Sequence, residues 1–269
     1  MSSDNLPPLR ETIARFGLDA RKKFGQHFLL DLNLTARIAR AAGDLSNCTV
    51  IEIGPGPGGL TRALLDAGAK QLIAIERDPR CVEAIEDLAT HYKGRLKVID
   101  ADALELDIVK LAEGPKKIVA NLPYNVATPL LIGWLRKINQ FDGLTLMFQK
   151  EVADRLTAVP GNRTYGRLSV LTQWLCHTHH DFNIARTAFT PPPKVESTVV
   201  TLTPRSQPAA TADWEKLEKV TAAAFGQRRK MLRASLKALD IDLESLGIDP
   251  TARAETLNVE QFCAIAEKI

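Results

Sequence analysis

From residue 49 to residue 148 the sequence alternates between short β-branched or aliphatic runs and stretches with helical spacing. The runs are Thr49-Val50-Ile51-Glu52-Ile53, residues 71–76, Leu96-Lys97-Val98-Ile99, Ile118-Val119-Ala120 and residues 144–148. Apolar residues at helical intervals occupy residues 60–67, 79–92 and 129–135. A strand followed by a helix and another strand folds as a right-handed βαβ crossover, so this rhythm predicts an α/β, Rossmann-like sheet that is mainly parallel. The rhythm changes later. Residues 182–185 and 197–203 read as strands joined by Phe189-Thr190-Pro191-Pro192-Pro193-Lys194, with no room for a crossover helix, which predicts an antiparallel hairpin closing the sheet. Residues 204–211 have the composition of a linker and the remainder is helical, placing a boundary near residue 205, with one domain over 1–204 and a smaller all-helical one over 205–269. Ahead of the first strand, residues 1–22 read as a helical arm, and a helix carries Leu34, Ile38 and Ala41.

Composition bounds the setting. No apolar stretch approaches the roughly 20 residues that span a bilayer, and residues 1–22 carry Asp4, Glu11 and Asp19 without an apolar core, so neither a membrane span nor a secretory or transit segment is expected. Cys48, Cys81, Cys176 and Cys263 lie far apart and form no CxxC pair, as in a reduced compartment, and the expected location is the cytoplasm. Net charge is only +3, so any surface for a polyanion must be local.

Glu52-Ile53-Gly54-Pro55-Gly56-Pro57-Gly58-Gly59 lies between a strand and a helix, where glycines let the backbone turn and approach a ligand. Gly54, Gly56 and Gly59 satisfy GxGxxG, so a nicotinamide dehydrogenase stands as one reading. The acids favour another. Glu76 closes the second strand, where a carboxylate can hold both ribose hydroxyls, and Asp102 follows the third, where it can accept from an adenine amine. Glu52 adds negative charge where a dinucleotide would bring its own. S-adenosylmethionine has no phosphate and carries a cationic sulfonium, and acidic surroundings suit it.

Asn121-Leu122-Pro123-Tyr124 directly follows the fourth strand, at the edge where α/β folds assemble sites. An adenine amine is a poor nucleophile because its lone pair is delocalised into the ring. Hydrogen-bond acceptors for its protons favour a pyramidal nitrogen with the lone pair directed outward. The Asn121 side chain and the Leu122 backbone carbonyl can be those acceptors. Pro123 fixes the turn and Tyr124 offers a ring on which a base can stack. A turn without chemistry is the alternative for this tetrapeptide.

Residues 226–237 contain Arg228, Arg229, Lys230, Arg233 and Lys237 and no acid. The spacing of Arg229, Arg233 and Lys237 by four predicts one helix face, with Leu232, Leu236 and Leu239 docking the helix, as in a phosphate-binding element; a solvated charged face is the alternative. Arg21, Lys22 and Lys23 extend this basic track less strongly. His177-Thr178-His179-His180 beside Cys176 offers two imidazoles on one strand face, but no other His or Cys cluster completes a metal site, and none is expected. Trp134, Trp174 and Trp214 read as packing residues.

Taken in order, Phe24-Gly25-Gln26-His27-Phe28-Leu29, the glycine loop, Asn121-Leu122-Pro123-Tyr124-Asn125, Phe189-Thr190-Pro191-Pro192-Pro193-Lys194-Val195 and Phe225-Gly226-Gln227-Arg228-Arg229-Lys230 resemble the ribosomal RNA adenine dimethyltransferase family over nearly the whole chain. That resemblance implies an S-adenosylmethionine-dependent methyltransferase domain followed by a helical RNA-binding domain. It implies methionine contacts near His27 and Leu29 with Gly54 in the turn beneath, ribose on Glu76, cofactor adenine on Asp102, and Asn121 facing both cofactor and target. Tyr124 and Phe189 would sandwich a flipped base. The implied substrate is a pair of adjacent adenines near the 3′ end of small-subunit rRNA, within a ribosomal subunit precursor; a monomer is expected because no apolar stripe in the sequence asks for a partner. The family commonly carries Asn where this chain has His27. A large-subunit methyltransferase conferring macrolide resistance and a non-catalytic assembly factor remain as alternatives at this point.

Overall fold

A computed structural model describes residues 6–20 and 26–269. Asp4, Phe24 and Gly25, together with the basic residues Arg21, Lys22 and Lys23, lie outside the described residues. The chain runs α1 (Leu9–Arg15), β1 (Phe28–Leu29), α2 (Leu32–Ala41), β2 (Thr49–Ile53), α3 (Gly59–Asp66), β3 (Gln71–Glu76), α4 (Pro79–Ala89), β4 (Leu96–Asp100), β5 (Lys116–Asn121), α5 (Tyr124–Leu135) and β6 (Gly143–Gln149). It continues with α6 (Lys150–Thr157), α7 (Arg167–Leu175), β7 (Cys176–Ile184), β8 (Phe189–Thr190), β9 (Ser197–Pro204), α8 (Trp214–Gly226), α9 (Leu232–Ser235) and α10 (Val259–Ala266).

The main sheet has the order β4-β3-β2-β5-β6-β9-β7. Strands β2 to β6 pair in parallel and β9 pairs antiparallel with β6, so the crossover reading and the antiparallel closure both hold. All five residues of β2 are buried, as expected for a strand covered on both faces. The chain reverses direction across the sheet between β2 and β5, which places the cleft beyond the carboxyl ends of these strands.

Three local expectations change. First, the histidine run and residues 182–184 form one continuous strand, β7, and Phe189-Thr190 is not a plain connector: it forms β8, paired antiparallel with β1 in a separate two-stranded sheet, Leu29 opposite Phe189. Second, α5 starts at Tyr124 rather than near residue 129. Pro123 caps it with φ −58°, and Pro129 is accommodated inside the helix. Third, no single helix carries Arg229, Arg233 and Lys237. Helix α8 ends at Gly226, residues 227–230 form a turn, and α9 has four residues. The backbone is diverted by distant partners: Leu232 N donates to Ala252 O at 2.8 Å, Arg233 N to Pro250 O at 2.9 Å, and Met231 bridges Arg253. Those bonds take the amides that a continuous helix would have used.

The chain forms two compact units, one of residues 1–150 with 180–202, the other of 151–179 with 203–269. The expected single cut near residue 205 is thus replaced by a unit that also takes in α6 and α7. Within that second unit α7 packs on α8 and α10. Trp174 and Trp214 meet at 6.0 Å between ring centroids, and Trp174 Nε1 donates to Ala210 O. Phe225, first residue of the motif before the basic turn, packs between Tyr165 and Phe262.

Candidate active site

The strand ends of the first unit surround a cleft of about 1100 Å³, including its solvent-open part. Its lining contains His27, Leu29, Glu52, Gly54, Glu76, Asp102, Asn121, Leu122, Pro123 and Tyr124, so positions up to 97 residues apart converge as the sequence motifs require.

The glycine loop forms its floor. Gly54 has φ +69°, a conformation that L side chains rarely adopt. At Gly59 the constraint is space instead: a Cβ would stand 2.8 Å from the Leu29 carbonyl oxygen. Three backbone amides hold the Glu76 carboxylate, Arg77 N at 2.8 Å and Asp78 N at 2.9 Å on Oε1, and Gly56 N at 3.3 Å on Oε2. Burial raises its pKa and these bonds oppose the rise. The carboxylate therefore ties the end of β3 to the glycine loop.

Glu52 is more extreme. It is 1% exposed, and its Oε2 has no hydrogen-bond partner among the described residues. Burial pushes its carboxyl up to about 8; the nearby Thr61 hydroxyl favours ionisation without closing a hydrogen bond, and Glu76 disfavours it. A buried acid with an unused oxygen at the cleft wall is suited to a cationic ligand and unsuited to a pyrophosphate.

Asp102 is far less buried than Glu52, and both its oxygens are engaged. Arg77 Nη1 donates to Oδ2 at 2.7 Å and Leu104 N to Oδ1 at 3.0 Å. The Arg77 partnership was not anticipated from sequence, although its position directly after Glu76 marks it as a residue at the same strand end.

Asn121 ends β5, and its Nδ2 donates to the His27 backbone carbonyl at 3.1 Å. Only the amide nitrogen can donate to a carbonyl, so this bond fixes the flip of the side chain and leaves Oδ1 as acceptor. The His27 ring stacks on Tyr124 with centroids 5.8 Å apart, and its Nδ1 lies 2.8 Å from Pro191 O. Facing a carbonyl, Nδ1 carries the hydrogen, so Nε2 of the neutral ring is an acceptor. Tyr124 OH bonds Ser197 Oγ at 2.6 Å, a partner without any local sequence signal, and burial raises the Tyr124 pKa while Ser197 opposes it.

Phe189 stands apart from the other site candidates. It is 2% exposed and belongs to the apolar core with Leu29, Val119 and Met147, outside the cleft lining. The expected two-ring sandwich is therefore not assembled; pairing of β8 with β1 places Phe189 as backing for Leu29. The cationic residues of the second unit are arranged around a turn. Arg229, Lys230, Arg233 and Lys237 are exposed, whereas Arg228 is half-buried, donates to Arg163 O and lies 3.8 Å from Glu255. Leu232 and Leu236 are buried beneath them and Leu239 is half-buried. Among the described residues no group of three or more His, Cys, Asp or Glu could hold a metal ion.

Comparison with known proteins identifies the family. The family described as "Ribosomal RNA adenine dimethylase" matches residues 17–269. The chain is 63% identical to "Ribosomal RNA small subunit methyltransferase A" of Rhodospirillum rubrum over 99% of this chain and 93% of that protein. It is 64% identical to the protein of the same name in Paramagnetospirillum magneticum over 98% and 95%. Among solved structures, a dimethyladenosine transferase from Plasmodium falciparum superposes with TM-score 0.78 at 27% identity, covering 89% of this chain and 96% of that one. The 23S rRNA methyltransferase ErmE does so with TM-score 0.71 at 26% identity, covering 90% and 98%. The chain belongs to the ribosomal RNA adenine dimethylase family.

Proposed function

We propose that the chain transfers methyl groups from S-adenosylmethionine to the exocyclic amines of two adjacent adenines near the 3′ end of small-subunit rRNA, giving dimethyladenosines. The observation that carries this reading is the orientation of Asn121: with its amide nitrogen bonded to His27 O, its Oδ1 is set as an acceptor at the end of β5, beside a cleft built for a cation. The large-subunit alternative is disfavoured by the contrast between 63–64% identity to the small-subunit proteins and 26% to ErmE. The dehydrogenase alternative is disfavoured by the buried Glu52 beneath the glycine loop.

When bound, S-adenosylmethionine supplies an electrophilic methyl group on a sulfonium. The residues that would hold it are His27, Leu29 and Gly54 for the methionine part, Glu76 for the ribose and Asp102 for the adenine; the buried Glu52 carboxyl, whose pKa burial raises, would be drawn back toward ionisation by the nearby sulfonium. For Asp102 to accept from an adenine amine, Arg77 must yield one carboxylate oxygen. Asn121 Oδ1 and the Leu122 carbonyl would accept hydrogen bonds from the two N–H groups of the target amine, which keeps both hydrogens through the attack and sheds one to solvent afterwards, and leave its lone pair available for in-line attack. Once methylated, the nitrogen is cationic and acidic, so no strong base is required. Tyr124 offers its ring to the flipped base, and stacking offsets unstacking by about 1–3 kcal/mol. The His27 ring now on Tyr124 is a second planar group at this position.

In the second unit, Arg229, Lys230, Arg233 and Lys237 would contact RNA phosphates, with Arg228 bracing the turn. A ribosomal subunit precursor in the cytoplasm is the proposed substrate. No helix among the described residues is long and apolar enough to cross a membrane. A monomer is proposed because the exposed large apolar residues Leu32, Leu104, Val159, Val195 and Met231 are spread over separate segments.

Transfer from labelled S-adenosylmethionine to unmethylated small subunits, wild type against Asn121→Ala, tests the proposal. Dimethyladenosine from the wild type and its loss in the variant are expected. A wild type that binds the cofactor yet stops at one methyl per adenine, or methylates only large-subunit RNA, would overturn it.

A further inference from the structure

The turn that carries Glu76 also carries a buried acid with other partners. Asp78 is 1% exposed. Its carboxylate receives Gln26 Nε2 at 3.0 Å, Arg80 Nη2 at 2.8 Å and Arg80 Nε at 3.1 Å. The same guanidinium reaches the segment before the cleft: Nη1 donates to the Gly17 carbonyl and the Asp19 carboxylate, and Nη2 to the Asp19 carbonyl at 3.2 Å. Apolar packing closes the same joint, with Leu18, Phe28, Cys81 and Ala84 in one buried cluster.

Two segments therefore meet on one ion pair. Gln26 lines the cleft and stands next to His27, whose carbonyl orients Asn121. Asp78 N bonds the Glu76 carboxylate from the same turn. A carboxylate buried this deeply needs its partner, since an unpaired buried charge is costly. Such pairs contribute little net stability compared with apolar packing, but they define where their neighbours sit.

We propose that Asp78 and Arg80 are positioning residues for the cofactor: they hold residues 26–29 against the Glu76 turn and so set cofactor affinity without touching the cofactor. This rests on the reading that the cleft takes S-adenosylmethionine. Arg80→Gln leaves Gln26 attached to a carboxylate whose main partner is gone, and the wall formed by residues 26–29 is no longer held at its spacing from Glu76. Bound cofactor seats this wall again, so the His27 carbonyl orients Asn121 as before and the chemical step is retained.

The test measures the cofactor dissociation constant by calorimetry without RNA, together with KM and kcat on unmethylated small subunits. Arg80→Gln is expected to weaken cofactor binding and raise its KM about tenfold, with kcat within about twofold. Arg80→Lys, which keeps the charge but not the fork, recovers part of the affinity. Combining Gln26→Leu with Arg80→Gln is expected to be no worse than the weaker-binding single variant, because both act through Asp78. Arg15→Gln serves as control. It removes the Arg15–Asp87 pair, which joins α1 to α4 at 3.1 Å without reaching Gln26, and leaves affinity unchanged. Unaltered affinity in Arg80→Gln, additive losses in the double variant, or an equal loss in Arg15→Gln would each overturn the proposal. Should Arg80→Gln fail to fold, Gln26→Leu decides alone, and unchanged affinity there overturns it. Cofactor binding without RNA methylation by the wild type would count against the proposed reaction only; absence of cofactor binding would remove both.

Discussion

Asn121 donates from Nδ2 to the backbone carbonyl of His27 at 3.1 Å, so a residue at the end of β5 is oriented by a main-chain atom 94 positions earlier. The bond discriminates between Asn and its isostere. Asp at this position cannot donate, and its carboxylate would face the His27 carbonyl. Asn121→Asp is expected to reduce kcat about 10²-fold or more, the scale seen when an oriented polar group at a reacting centre is removed. Single-turnover methyl transfer with saturating cofactor checks this; a rate equal to wild type would remove Asn121 from the reacting centre.

Tyr124 separates stacking from hydrogen bonding. Tyr124→Phe deletes only the hydroxyl that meets Ser197 Oγ at 2.6 Å, whereas Tyr124→Ala deletes the ring as well. The Ala variant is expected to lose an additional 10- to 100-fold in kcat/KM for RNA, the equivalent of about 1–3 kcal/mol of base stacking. Equal losses in the two variants would place the function of Tyr124 in its hydroxyl.

The protonation of Glu52 makes stability depend on pH. Its folded carboxyl titrates at about 8, above its ordinary 4.5. Between these values the folded chain keeps a proton that the unfolded chain has released, so stability falls as pH rises through that window and levels off above it. Glu52→Gln keeps the shape and removes the titration. The stability difference in favour of Gln is expected to grow by up to a few kcal/mol from about pH 5 to about pH 8. Urea unfolding at several pH values reads this directly, and a difference independent of pH would contradict it.

Gly59→Ala tests the closeness of the loop to β1. A Cβ 2.8 Å from Leu29 O and 3.1 Å from Leu9 Cδ1 must displace backbone, not merely a side chain. The expected destabilisation is roughly 1–3 kcal/mol, with weaker cofactor binding because Leu29 lines the cleft. Thermal unfolding with and without cofactor reads both effects; unchanged values would mean that β1 moves freely.

The cations of the second unit are best read through salt. Each phosphate that Arg229, Lys230, Arg233 or Lys237 no longer neutralises is expected to flatten the slope of log affinity against log salt by about 0.7–0.9. Paired neutralisations measured from low to moderate salt would show this, and an unchanged slope would reduce these residues to a solvated surface.

Much of this arrangement was legible because it follows local rules. Each strand of the parallel sheet is a β-branched or aliphatic run, and Glu52, Glu76, Asp102 and Asn121 were placed by their positions at or just beyond strand ends. What could not be read depends on contacts between distant segments. The spacing of Arg229, Arg233 and Lys237 satisfied a helical period, yet amides of Leu232 and Arg233 bond to residues 252 and 250 instead. Phe189 was recognisable as part of a motif, but motif identity does not say which way a ring faces. Pairing over two residues, as in β1 and β8, is too short to leave a period. Gln26, Asp78 and Arg80 form their joint across 52 residues of sequence with no pattern to announce it.

The pairing of Phe28–Leu29 with Phe189–Thr190 also orders events during synthesis. One wall of the cleft is made early and its backing more than 150 residues later, by a segment that emerges after the whole parallel sheet. A nascent chain stopped before residue 189 has the glycine loop, Glu76 and Asn121 but lacks the strand against which Leu29 is seated. Completion of this wall therefore waits on a segment synthesised after the central sheet, and the order of the chain sets the order in which the parts of the cleft become available.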